Sequence, residues 1–150
     1  MRAVFRLLLA ASAAVPLAAF AGNALSPGQW ASAGAITSID MPGMPPEALA
    51  MMKKRPISHS YCLTPEQAAK DPRQMFKGDN GECEYTKFSM AGGRLNAVMQ
   101  CKGPQGKMTM TMQGTYSAAS YESTNVMVVE GPRGNMKMTS KISGKRTGAC

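Results

Sequence analysis

At 150 residues the chain has room for one domain with a real core and not for two of ordinary size. Its 17 Lys and Arg against 9 Asp and Glu give a formal net charge of +8, yet aromatic residues reach only 6% and do not interleave with the basic ones. That pattern argues against single-stranded nucleic acid as a partner. With one histidine, no Cys-x-x-Cys spacing and no Gly-rich loop opening a helix, the zinc-site and phosphate-loop signatures are absent too.

The chain opens with Arg2 and Arg6 around an apolar run, Leu7 to Ala21, that ends Ala19-Phe20-Ala21 before Gly22. A basic start, a short apolar stretch and small residues at −3 and −1 predict a secretory signal peptide over residues 1–21. The run falls short of the roughly 20 residues a membrane span needs, and no Cys follows the cleavage point to carry a lipid. Cleavage would leave a single domain, residues 22–150, in the periplasm or secreted, with no transmembrane segment. It would keep 15 basic residues against 9 acids, a net +6. That charge favours an anionic envelope surface, such as lipid headgroups or cell-wall polymers, over nucleic acid. The basic residues cluster only at Lys53-Lys54-Arg55 and Lys145-Arg146.

Pro27-Gly28-Gln29-Trp30 opens a strand running to about Ile39, with Trp30 as a core plug. Met41-Pro42-Gly43-Met44-Pro45-Pro46 is a breaker-rich linker, and a short helix from Glu47 to Lys54 is ended by Pro56. Ile57 to Cys62 reads as a strand. Thr64-Pro65-Glu66-Gln67 has a capping Thr, a Pro at the first helical position and a Gln at the third, so a short helix to about Lys70 follows. Asp71 to Gly81 reads as polar loop.

The rest of the chain is built on alternation. In Lys107–Met112 every thioether falls on one face and every Thr or Lys on the other, the period-2 pattern of a half-buried strand. Gly103-Pro104-Gln105-Gly106 and Gly131-Pro132-Arg133-Gly134 repeat one hairpin signal. Proline cannot take a positive φ, so each predicts a four-residue loop around a type I turn whose last Gly is left-handed. Pairing Lys102 with Lys107 then sets Cys101 against Met108 and Met99 against Met110. A four-residue loop at Ser117–Ser120 sets Met110 against Met127, and the third turn sets Met127 against Met138. One face collects Leu95, Ala97, Met99, Cys101, Met108, Met110, Met112, Met127, Val129, Met136, Met138 and Ile142. A slip of one residue would expose them all. The predicted fold is mainly β: an antiparallel meander of about seven strands forming a barrel or half-barrel, with one or two short helices.

Four cysteines, all after the signal, predict disulfides in an exported chain. Cys83 and Cys101 are symmetric about Gly92 of a three-residue hairpin loop, Ala91-Gly92-Gly93, and so would face each other across adjacent strands. Cys62 is left for Cys150.

Taken together, Gly28-x-Trp30, Met41-Pro-Gly-Met-Pro, Cys62-Leu63-Thr64-Pro65-Glu66, Cys101-x-Gly103, Met108-Thr-Met-Thr-Met112 and the closing Ile142-Ser-Gly-Lys-Arg-x-Gly148-x-Cys150 resemble the bacterial exported family called domain of unknown function 3617. The resemblance covers nearly all of the mature chain. A longer and more basic insert, Glu47–Arg55, departs from it. It implies an envelope location and brings no activity and no catalytic residues.

No catalytic constellation emerges: the sole neutral-pH base is His59, in a strand beside Ser58 and Ser60, and Glu82 and Glu84 flank a hairpin end. The chain is therefore read as a non-enzyme without a cofactor. Two roles compete. In one, a small-ligand-binding or structural domain uses its methionine face, with Trp30, as core or as the seat of an apolar or amphiphilic ligand. In the other, soft thioethers handle Cu(I) through Met41, Met44, Met51 and Met52 near His59, since 14 methionines is a high count.

Overall fold

The computed structural model describes residues 25–76, 82–103, 106–132 and 134–150. The proposed signal segment therefore lies outside the described residues, as do Pro104, Gln105 and Arg133, on which the predicted turn types fall.

Seven antiparallel strands form one curled sheet: β1 (Gly28–Asp40), β2 (Ile57–Leu63), β3 (Glu82–Ala91), β4 (Arg94–Gly103), β5 (Gly106–Tyr116), β6 (Ser120–Gly131) and β7 (Gly134–Gly148). Their order is β2-β1-β7-β6-β5-β4-β3. From β3 to β7 the chain is a simple meander, and the first strand then pairs with the last. Among the described residues β2 and β3 do not pair, so the sheet is a half-barrel with two edges. Helix α1 (Pro46–Lys53) lies between β1 and β2, and α2 (Pro65–Lys70) follows β2. The predicted capping box on α2 is present: Gln67 N–H donates to Thr64 Oγ1 at 3.2 Å, and Thr64 N–H to Gln67 Oε1 at 3.0 Å.

The predicted register holds across the meander. Cys101 faces Met108, Met99 faces Met110, Met110 faces Met127, and Met127 faces Met138. Two details of the turns differ. Gly103 pairs with Gly106 and Gly131 with Gly134, so each loop is two residues shorter than four, while Gly106 and Gly134 do take positive φ, +121° and +101°. The β3–β4 loop is also two residues, not three: Ala91 pairs with Arg94 around Gly92 and Gly93, both left-handed at φ +57° and +73°. A Gly-Gly pair suits such a turn because neither residue carries a Cβ to clash. This alone would shift Cys83 off Cys101, but a bulge at Thr86, between the Tyr85 and Lys87 pairings, restores the alignment.

Both predicted disulfides are formed. Cys83–Cys101 joins directly paired residues with Cα atoms 4.0 Å apart, and Cys62–Cys150 ties β2 to the C-terminus at a Cα separation of 5.7 Å.

The core is concentrated at one end of the half-barrel. Leu25, Trp30, Leu63, Met75, Leu95, Tyr116 and Tyr121 form its buried cluster. Trp30 is the plug its position predicts, at 2% exposure, its Nε1–H donating to the Ser26 carbonyl at 3.0 Å. Its ring lies 6.0 Å from that of Tyr121, which also meets Phe76 edge-on at 5.2 Å. Phe76 and Met75 correct the expected polar loop. Residues Pro72–Phe76 form a 3₁₀ turn that carries two apolar side chains onto this end, while residues 77–81 lie outside the described residues. Gly144 is needed here, because a Cβ on it would stand 2.1 Å from the Tyr121 ring. Gly144→Ala should therefore destabilise the fold measurably in thermal unfolding, since only a shift of a core aromatic ring makes room.

Candidate functional site

Directly paired residues in an antiparallel ladder point to the same side, so the register writes out the inner face row by row. Tyr85, Met99, Met110, Met127, Met138 and Ile39 form one row across β3, β4, β5, β6, β7 and β1. The next row toward the hairpin tips holds Cys83, Cys101, Met108, Val129 and Met136. In the other direction come Phe88, Ala97, Met112, Asn125, Ser140 and Ile36, then Leu95, Gly114, Ser123, Ile142 and Gly34. The aromatic plug of Tyr116, Tyr121 and Trp30 closes that end.

Burial changes along this face. Met99 and Met112 are buried, at 3% and 4% exposure. Met108, Met110, Met127, Met136 and Met138 are half-buried. The ladder is thus neither sealed core nor free surface: the half-barrel is filled at the Trp30 end and along β4, where Cys101 in the last row is 4% exposed, and it opens on β5, β6 and β7 toward Met108, Val129 and Met136.

At the open end a cavity of about 610 Å³ lies between the Met41–Ala48 segment and the β6–β7 hairpin, lined by Met41, Met44, Pro45, Val129, Met136 and Asn135 among others. Its size falls in the range of small-molecule sites, and its apolar side chains come from both the linker and the sheet. A second depression, about 640 Å³, is wide open and crosses β1, β7, β6 and β5, among Ala33, Ala35, Gln113, Thr124 and Lys141. A third, about 280 Å³, sits behind the Cys83–Cys101 bond among Glu82, Glu84, Lys102 and Lys107. Neither is lined by methionine.

The thioether set proposed for Cu(I) is only partly assembled. Met41 and Met44 share the cavity, joined by Met136, which the sequence places on the ladder. Met51 is 70% exposed on α1, Met52 is half-buried there, and His59 is exposed on β2 with its ring 6.3 Å from Tyr61. None of these three lines the cavity.

Sequence reasoning missed the polar part of the face. Tyr121-x-Ser123-x-Asn125-x-Met127-x-Val129 is one unbroken period-2 run, and continuing the methionine alternation backwards through polar residues would have found it. Ser123, Asn125 and Ser140 are all buried, at 8%, 8% and 6% exposure.

On the outermost row position of β3, burial pushes the Tyr85 hydroxyl up to about 12, with the Asp71 carboxylate adding to the rise and Arg73 opposing it. Its O–H donates to the Arg73 carbonyl at 3.3 Å. A group whose folded value is raised leaves stability intact below its unfolded value near 10 and loses it as pH climbs from there toward about 12. Burial also raises the Tyr121 hydroxyl, so alkaline titration followed by tyrosinate absorbance should show a late phase from both tyrosines, and Tyr85→Phe should shrink it by one tyrosine. An unchanged late phase in that variant would contradict the assignment.

The family model described as "Protein of unknown function (DUF3617)" matches residues 25–150. No curated protein and no solved structure matches the chain.

Proposed function

We propose, for a chain that belongs to the DUF3617 family of proteins of unknown function, that it is an exported, non-catalytic envelope protein whose open methionine-lined end binds an apolar or amphiphilic ligand. The observation that carries this reading is the cavity of about 610 Å³, continuous with the half-buried row of Met108, Val129 and Met136. Thioether side chains are apolar and unbranched, so they adapt to ligands of varied shape. The net charge of +6 after signal removal suits an amphiphile, or a membrane surface, of anionic character.

An environment-sensitive apolar dye should bind the folded protein, and Met136→Lys should abolish its uptake, because a charge would then stand in the apolar cavity. Met136 is half-buried beside a hairpin, so the thermal midpoint should move little. Equal dye binding by the two proteins, or none by either, would remove the reading. Export has its own check: the protein recovered from the envelope fraction should begin at Gly22.

A second reading, Cu(I) handling, has one observation in its favour, the three thioethers of Met41, Met44 and Met136 around one cavity. Cu(I) titration against a competing chelator tests it. Binding no tighter than micromolar, or binding unchanged in the Met41→Leu/Met44→Leu double variant, would discard it.

A further inference from the structure

We infer that Asn125 is a polar anchor for the ligand, and that the ligand is therefore an apolar chain ending in a hydrogen-bond donor such as a hydroxyl or amide N–H. This rests on the reading of the methionine end as a binding face. Asn125 lies on the inner face, opposite Met112 on β5 and Ser140 on β7, and its Oδ1 is buried with no hydrogen-bond partner among the described residues. It is the one such side-chain atom found among them. A buried acceptor without a donor is costly to a fold and is rarely retained without a use. Val or Leu at this position would continue the apolar face with no such cost.

The placement gives the atom a direction. Asn125 is two residues from Met127 on β6, and the diagonal neighbours Met110 and Met138 stand about 7–8 Å away, within reach of long side chains. All three methionines are half-buried and unbranched, so their rotation opens a path from the cavity to Oδ1. From Val129, which lines the cavity, to Asn125 is four residues of strand, about 13 Å. A medium-length alkyl chain spans that distance. Its tail would lie against Met136, Met41 and Met44, and its donor would reach Asn125 between Ser123 and Ser140. An acceptor-only head would leave Oδ1 as it stands. A donor gives it its first bond.

The test compares decanol with decyl methyl ether, alike in tail and differing in the donor, by displacement of a bound apolar dye from the wild-type protein and from Asn125→Leu. Decanol should displace the dye from the wild type at about one-tenth the concentration of the ether. In Asn125→Leu the two should be equivalent, with a thermal midpoint no lower than wild type, since Leu removes an unpartnered polar atom. Equal displacement on the wild type overturns the anchor, and that includes the case where a resident water already serves Oδ1. So does a decanol preference that survives Asn125→Leu. If dye binds but no preference appears, only the anchor fails; if no dye binds at all, the binding face fails with it. Should Asn125→Leu not fold, the wild-type ratio decides alone.

Discussion

Replacing Cys62 and Cys150 together by serine is expected to cost about 4.6 kcal/mol of stability, and replacing Cys83 and Cys101 about 3.2 kcal/mol. The difference follows from the chain each bond closes in the unfolded state, 88 residues of separation against 18. Position acts in the same direction. Cys62–Cys150 fastens the edge strand β2, which among the described residues pairs with β1 alone, to the end of the chain. Cys83–Cys101 reinforces a hairpin whose register its two-glycine turn and the Thr86 bulge already set. Denaturant unfolding of the two double-serine variants measures both costs, and a larger loss at Cys83–Cys101 would contradict this ordering.

The second large effect separates the two ends of the half-barrel. Trp30→Ala should cost about 3–5 kcal/mol, because it empties the centre of the aromatic cluster and leaves the Ser26 carbonyl without its donor. Met110→Ala, at a half-buried position of the same inner face, should cost only about 1 kcal/mol. Urea midpoints for the two variants decide the matter. Comparable losses would mean that the methionine row is sealed core like the Trp30 end, and the open face would be wrong.

Much of this fold was legible because the period of two and the turn residues agree. Lys107–Met112 can serve as a strand in only one orientation, and the turns at Gly103–Gly106, Ser117–Ser120 and Gly131–Gly134 set the partners in succession, so three strand pairings follow from local pattern alone. The Cys83–Cys101 contact came out right although its loop was one residue too long, since the Thr86 bulge offsets the difference, and a bulge in Tyr85-Thr86-Lys87 leaves no distinct trace in residue types. Met75 and Phe76 were hidden because two apolar residues in a polar stretch show no period; only their arrival at Tyr121 reveals them as core. Whether the methionine face is filled was not legible either. Alternation records which side a residue faces, while the filling depends on the pairing of β1 with β7 and on how far the sheet curls. Asn125 lay inside an alternating run, but its missing partner is a property of three dimensions.

The most direct measurement labels the methionine methyl groups for NMR and adds decanol to the intact protein. The methionines after Gly22 give probes at both ends of the half-barrel and outside it. Met41, Met44, Met127, Met136 and Met138 should shift together and saturate, while Met75 and Met90, packed at the plugged end, hold their positions. Shifts confined to Met75 and Met90, or no saturable shift at any methionine, would contradict the open binding face.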